Sequence, residues 1–375
     1  ASGMNLQNPN RTRCIKRCNT QFVDDCDGWA SADFDSEDPI SETMSRLQHD
    51  AQRWNNINNI PGQTIAFHKC KWQILAWQVI QGDLTIVSST DELLVLKDNK
   101  GGRAIIEFLP PDQPNKGLGY LLCPDGNQTH QYNAIYHAIQ ELCDKVAGAQ
   151  LSERETKQAL YQRLFPKLDY ALHASYFNAS QANEIDKVIR GTFLPRMRIN
   201  RKTPTAVVHG PRKYGGLEIP DCYTRQTQHH IKYMLKQLRW DKTVGGDILT
   251  TLDNIQLASG FVSPILETTD PTIDYIDQGW ILDLRERLKT INASMWAEDA
   301  WQPKLQRDGD FSLMERFLSS KTTETERKHL RMVLHFLKVV TMADLADPTG
   351  RFIPGERLTG EWQAESTFEW PKQPQ

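Results

Sequence analysis

Two carboxylates stand side by side in Phe22-Val23-Asp24-Asp25, after an aromatic and a β-branched residue. This pattern predicts a β-hairpin carrying Asp24 and Asp25 at its tip. Carboxylate oxygens there are hard ligands suited to Mg²⁺, which keeps several waters and binds through few carboxylates plus substrate phosphates. Two ions so held activate a hydroxyl for attack and stabilise a departing pyrophosphate. The same residues also make an ordinary Asp-rich turn, and such a doublet arises by chance about 0.13 times in a chain of this composition. Asp27, Asp33 and Asp35 follow closely and are either further metal-facing groups or solvated turn carboxylates. Lys69, at the end of a β-type run, reads by itself as a plain exposed lysine.

Charge is segregated. Residues 187–240 hold twelve Lys and Arg against Glu218 and Asp221, a net of +10, whereas the whole chain carries −3 and the remainder therefore −13. A basic block inside an acidic chain is the footprint of a phosphate-binding face, or of a solvated helix surface. No run approaches the ~20 apolar residues of a membrane span, and residues 1–10 carry no apolar stretch of the signal-peptide type. The seven cysteines (14, 18, 26, 70, 123, 143 and 222) are an odd set without paired C-x-x-C spacing, which predicts reduced thiols in an intracellular protein. Cys14, Cys18, Cys26, His68 and Cys70 match no standard zinc spacing.

The elements that must position these groups follow from periodicity. Ile40, Met44, Leu47, Ala51 and Trp54 draw one apolar stripe down a helix over 41–59, opened by Pro39 and Ser41. Over 63–122 the pattern changes to short β-rich runs (64–67, 74–80, 84–87, 93–96, 104–109, 118–122) with Gly- and Asp-rich turns between them, predicting a small antiparallel sheet. After Thr129 the chain turns helical. Ile135, Ile139, Leu142 and Val146 form a stripe, and Ser152-x-x-Glu155 is a capping box for a helix that Pro166 breaks. Ile185, Val188 and Ile189 face inward from a helix over 180–193, and Ile231, Leu235 and Leu238 share one side of a helix over 223–240. Later helices centre on Trp280-Leu284-Leu288 and on 330–340, the second after the capping box Thr323-x-x-Glu326, and residues 347–375 read as an extended tail.

The order of these features resembles reverse transcriptases of the non-LTR retrotransposon kind. Phe22 to Asp25 resembles their catalytic hairpin, and the following helix the palm helix behind it. Lys69-Cys70-Lys71-Trp72 is similar to the palm lysine region, and Lys116-Gly117-Leu118-Gly119-Tyr120 to the primer-grip hairpin, with Gly117 where an aromatic is usual. His209-Gly210-Pro211-Arg212-Lys213-Tyr214-Gly215-Gly216-Leu217-Glu218-Ile219-Pro220 resembles the thumb's Gly-Gly-Leu-Gly-hydrophobic motif, with Glu218 in place of the last glycine. The resemblance spans roughly residues 21–263, about two-thirds of the chain.

The resemblance implies an α+β chain: a partial polymerase palm with antiparallel strands (1–128), a mainly helical thumb with a basic face (129–263), a C-terminal helical region (264–346) and a tail or linker (347–375). It implies Asp24 and Asp25 as Mg²⁺ ligands and catalytic residues, Lys69 as the proton donor, and Leu118, Gly119 and Tyr120 as primer grip. A thumb holds an RNA template and a DNA primer through phosphates without reading sequence, for which Arg196, Arg198, Arg201, Lys202, Arg212 and Lys213 are the candidates. Such an enzyme also needs a third metal-binding aspartate and a fingers domain for the deoxynucleotide. Only twenty-three residues precede Asp24, so the chain is expected to be a fragment inactive by itself. Two other classes stay open: a nucleic-acid-binding remnant in which Asp24 and Asp25 are vestigial, and a helical interaction scaffold. A steep salt dependence of binding sets the first two readings apart from the scaffold.

Overall fold

A computed structural model describes the chain except residues 1–2, 23–24, 34–35, 63–64, 81–82, 98–101, 241, 278, 360, 362–363 and 365–375, and except the side chains of 20–22, 25, 79–80, 83–84 and 242. It is a mixed α and β protein that divides into two units: residues 1–113 with 237–375, and residues 114–236. Those boundaries differ from the linear division at 128, 263 and 346, because the start and the end of the chain share one unit. Charge follows the units. Residues 114–236 carry 17 Lys and Arg against 10 Asp and Glu, a net of +7; the other unit carries 27 against 37, a net of −10.

The first unit opens with two hairpins, β1 (Met4–Gln7) with β2 (Cys14–Arg17), and β3 (Asn19–Phe22) with β4 (Asp25–Gly28). Helix α1 (Pro39–Asn59) starts where Asp38 accepts a hydrogen bond from the Ser41 amide, with Pro39 in the first turn where its missing N–H costs nothing. Its stripe packs Met44, with Ile40, Leu47 and Ala51, on Trp72, Ile74, Leu94, Leu96 and Ile106. Apart from Ile74, which follows the first strand, those residues belong to a sheet of β5 (Lys71–Trp72), β9 (Arg103–Phe108) and β8 (Leu94–Lys97). A second, polar row of α1 covers the open edge of β8. Gln48 accepts from the Val95 amide (2.8 Å) and donates to its carbonyl (2.6 Å), and Gln52 repeats the exchange one turn later at Lys97. An edge strand that would template aggregation is thereby satisfied by glutamine side chains.

The sheet corrects the expectation of purely antiparallel pairing, because β5 runs parallel to β9. A parallel neighbour requires a long crossover, and residues 73–102 supply it, including the hairpin β6 (Trp77–Ile80) with β7 (Asp83–Ile86). Phe67–Lys69, expected to extend a strand, forms a 3₁₀ turn.

The second unit starts with the hairpin β10 (Asn115–Gly117) and β11 (Tyr120–Leu122). Helices follow: α2 (Thr129–Gly148), α3 (Glu153–Ala159), α4 (Phe165–Leu172), α5 (Ala179–Arg196), α6 (Thr205–His209) and α7 (Cys222–Trp240), whose last turn is counted with the first unit. Their core includes Ile139, Val146, Leu164, Leu168, Ile185 and Ile189. The capping box of Ser152 and Glu155 forms as read. Pro166, however, does not break the helix. A π turn over Leu160–Leu164 joins α3 to α4, and the Phe165 amide reaches back five residues to the Leu160 carbonyl. The wider turn accommodates a residue that has no amide hydrogen for the carbonyl four positions back. The buried face of α7 is largely polar, with Gln226, Thr227 and His230 beside Cys222 and Met234, while Leu235 is exposed.

The rest of the first unit is α8 (Lys242–Ser259), α9 (Trp280–Thr290), α10 (Leu313–Leu318), α11 (Glu324–Leu337), α12 (Met342–Leu345) and α13 (Gly355–Thr359). Buried Asp253 of α8 gathers Asn8 (3.1 Å), Arg13 (2.8 Å) and the Trp301 amide (2.7 Å), which ties the β1–β2 hairpin to the C-terminal part of the chain. Fully buried Arg285 donates to the carbonyls of Ile265, Thr268 and Pro271 and so organises their loop. The tail read as extended contains α13, with Arg357 bonded to carbonyls at the end of α12. No helix among the described residues is long and apolar enough to cross a membrane, and none of the seven cysteines is in a disulfide.

Candidate nucleic-acid interface

In the first unit, β3 and β4 pair in the register Phe22↔Asp25, which leaves residues 23 and 24 as the connection. Asp24 and the side chain of Asp25 lie outside the described residues. Both offer the hard oxygens that suit Mg²⁺. Among the described residues no group of three or more His, Cys, Asp or Glu side chains is arranged to hold a metal. Asp33 is engaged elsewhere: the Arg46 guanidinium bonds it (3.0 Å) and holds its carboxyl below the usual range. Lys69 is exposed at the end of its 3₁₀ turn.

In the second unit the predicted cations separate into two groups. Arg196 is not a surface donor. At the end of α5 its guanidinium bonds the Ala149 carbonyl (2.6 Å) and that of Ala147, closing the C-terminus of α2, where unpaired carbonyls concentrate negative partial charge. In this structure its partners are therefore backbone carbonyls of its own unit. Arg225 is likewise internal, bonded to Asp169 (2.7 Å) and lying 4.4 Å from the centre of the Phe165 ring. Arg198, Arg201, Lys202, Arg212 and Lys213 are exposed. The turn bearing Arg201 and Lys202 is closed by the Thr203 amide on the Asn200 carbonyl (2.9 Å) and the Lys202 amide on the Asn200 side chain (2.9 Å). Arg212 and Lys213 open a 3₁₀ turn, Arg212–Tyr214. The two turns stand at opposite ends of α6, whose five residues span only about 7.5 Å.

The second turn sits on a tightly closed loop. Leu217 and Ile219 return their amides to the Val207 and Val208 carbonyls (2.8 and 3.0 Å), and Glu218 and Gly216 bond Gly210 and Pro211 (3.0 and 3.1 Å). A Cβ added to Gly216 would lie 2.0 Å from the Gly210 oxygen, and one on Gly210 would lie 2.4 Å from the Ala206 oxygen. His209 locks the base. Its Nδ1 donates to the Ile219 carbonyl (2.6 Å), and its Nε2 accepts from Arg190 (3.1 Å), since a guanidinium can only donate and a carbonyl only accept. Glu218 has φ +55°. The backbone thus keeps the left-handed conformation that glycine would favour. Its carboxylate is 3.3 Å from Arg212, both groups being largely exposed.

Adding a methyl group should have opposite outcomes at two glycines. Gly216→Ala must push backbone against backbone and should cost about 2 kcal/mol or more. Gly191→Ala, mid-helix in α5 with nothing within 4 Å of the added carbon, should stabilise by about 0.5–1 kcal/mol. Urea unfolding of both variants distinguishes a packed loop from a loose one.

The primer-grip-like residues form the tip of β10–β11. Leu118 (φ +49°) and Gly119 (φ +85°) make a two-residue turn with both central residues left-handed, the geometry that suits strand twist. Tyr120 stacks on Tyr170 of α4, centroids 4.9 Å apart. Its hydroxyl donates to the Tyr170 carbonyl (2.5 Å), and the Tyr170 hydroxyl donates to that of Leu118. Burial lifts the Tyr120 phenol to about 12. The tip is thus fixed to α4, with Leu118 44% exposed.

Two features escaped the sequence reading. Tyr214 projects from the closed loop 78% exposed, with the Lys213 ammonium 4.7 Å from its ring centre; its signal was an aromatic beside paired cations in a Gly-Pro frame. Asp169 of α4 gathers Arg225 and His229 (2.9 Å) of α7, and the His173 and His229 rings are 4.1 Å apart. The spacing of 225 and 229, one helical turn, was its only trace. Comparison with protein-family models, with curated proteins and with solved structures gave no match to this chain.

Proposed function

We propose that the chain is the palm remainder and thumb of an RNA-directed DNA polymerase of the non-LTR retrotransposon kind, in which residues 114–236 hold the template–primer duplex through its phosphates. The observation that carries this reading is the separation of charge between units, +7 against −10, with exposed cations at both ends of α6. Phosphate contacts by Lys and Arg provide affinity without sequence preference, which is what a polymerase sliding along its product requires. Further support is the backbone of the Gly215-Gly216-Leu217-Glu218 segment, which keeps a positive φ at the motif's last position.

Asp24 and Asp25 are the residues that would hold Mg²⁺, whose chemistry there is activation of the primer hydroxyl and stabilisation of pyrophosphate. Lys69 is the proton donor in this reading, and the Leu118–Tyr120 tip, pinned by Tyr170, steadies the primer strand. Synthesis of DNA belongs to the parent enzyme, with deoxynucleotides as its substrates. A nucleic-acid-binding remnant without catalysis shares the duplex-binding half of this reading and differs only at Asp24 and Asp25.

Binding of a fluorescent RNA–DNA duplex by the whole chain, titrated over salt, tests it. A linear fall of log affinity with log salt, alike for unrelated sequences, supports the assignment. No binding at low salt overturns it.

A further inference from the structure

Tyr214 is not explained by holding a duplex through phosphates. An aromatic ring 78% exposed contributes little to a core, and its neighbours Pro211, Arg212, Lys213 and Gly215 are exposed as well. Yet its backbone is held by hydrogen bonds within the turn and by the loop beneath it. The 3₁₀ turn is closed by the Tyr214 amide on the Pro211 carbonyl (3.0 Å) and the Gly215 amide on that of Arg212 (2.9 Å), and the loop beneath it requires glycine at 210 and 216. A ring held out by a rigid loop loses little conformational freedom when something stacks on it. Lys213 lies over the ring and Arg212 stands in the same exposed turn, so a base stacked on Tyr214 would have cations near its own phosphates. Aromatic faces flanked by cations bind single-stranded nucleic acid, because every base offers a π face and every nucleotide a charge.

We infer that Tyr214 is a stacking platform for an unpaired base of a single-stranded extension adjoining the duplex, with Lys213 and Arg212 meeting the flanking phosphates. This rests on the duplex-binding reading above and adds a second class of ligand to it. A duplex presents its bases only at its ends, so stacking on Tyr214 selects overhangs and gaps over blunt continuous helix. The chain would thereby sense where paired template gives way to unpaired template.

The test uses the whole chain and two probes, a blunt RNA–DNA duplex and the same duplex with a short single-stranded template extension carrying 2-aminopurine. Wild type should bind the extended probe more tightly and change the 2-aminopurine emission. Tyr214→Ala and Tyr214→Leu should lose about 5- to 100-fold on the extended probe, stay within about twofold on the blunt one, and leave 2-aminopurine unchanged, whereas Tyr214→Phe should retain all three properties. Equal wild-type affinity for both probes, or an equal loss on both in Tyr214→Ala, overturns the inference while leaving duplex binding intact. Failure of wild type to bind either probe overturns the duplex-binding reading and this inference together. Thermal unfolding of each variant separates lost stacking from lost folding.

Discussion

Changing Arg198, Arg201, Lys202 and Lys213 together to Ala should make duplex binding less salt-dependent without unfolding the protein. Each cation that meets a phosphate contributes about 0.9 to the slope of log affinity against log salt, so four contribute about 3 to 4. If affinity extrapolated to 1 M salt is unchanged, that difference amounts to about three to four orders of magnitude at 0.1 M. These four are exposed, and Arg212 is left in place because Glu218 lies 3.3 Å away and already offsets part of its charge. Arg196→Ala is the contrasting variant. It removes the guanidinium that closes α2 on the Ala147 and Ala149 carbonyls, so it should lower the unfolding midpoint and leave the salt slope as in wild type. A slope unchanged in the fourfold variant would count against the phosphate surface. A slope reduced by Arg196→Ala alone would mean that cation is available to ligand after all.

The difference between Arg196 and its neighbours marks where reading the sequence reaches its limit. Counting charge finds a basic window over 187–240, most of which falls in the unit 114–236, but a count cannot tell a cation that faces solvent from one turned onto a helix end forty-seven residues earlier. Local rules did well where the interaction was itself local. The stripe of α1 and the capping boxes at Ser152 and Thr323 depend on residues within a turn or two of one another. They did poorly where a distant partner decides. Gln48 and Gln52 look like ordinary polar helix residues until β8 is brought alongside. Pro166 looks like a helix stop until the π turn at Leu160–Leu164 absorbs it. On α7 the periodicity of Ile231, Leu235 and Leu238 gives no hint that Gln226 is buried, where it accepts the Phe177 amide (3.2 Å). At the candidate site, a glycine-rich motif is visible as a string, but its meaning, two carbonyls pressed where side chains cannot go, is a property of the closed loop.

A second large effect is expected from Asp186, a buried carboxylate of α5 that accepts the Cys222 amide with both oxygens (3.0 and 3.1 Å) at the start of α7. Burial raises its pKa to about 7, with Asp221 adding to the rise while the Cys222 amide and Arg190 oppose it. In the unfolded chain an aspartate titrates near 3.9, so between that pH and about 7 the folded protein binds the extra proton. Stability contributed by this group therefore grows as pH falls through 7 and is lost as pH rises. From pH 8 to pH 5 the gain is about 3 kcal/mol for a shift of this size. Other shifted groups also contribute: His229, whose pKa burial lowers, works in the opposite sense, and buried Asp253, whose pKa burial raises, works in the same sense. The difference between wild type and Asp186→Asn removes them both. Asparagine keeps an oxygen for the Cys222 amide and has no charge to bury, so the variant should be the more stable protein at pH 8 and the advantage should disappear near pH 5. Urea unfolding of both proteins at several pH values reads this directly. A constant difference from pH 5 to pH 8 would mean that Asp186 is ionised throughout, held so by the amide end of α7 and by Arg190. The junction of α5 and α7 would then be an anion site at a helix start rather than a buried neutral acid.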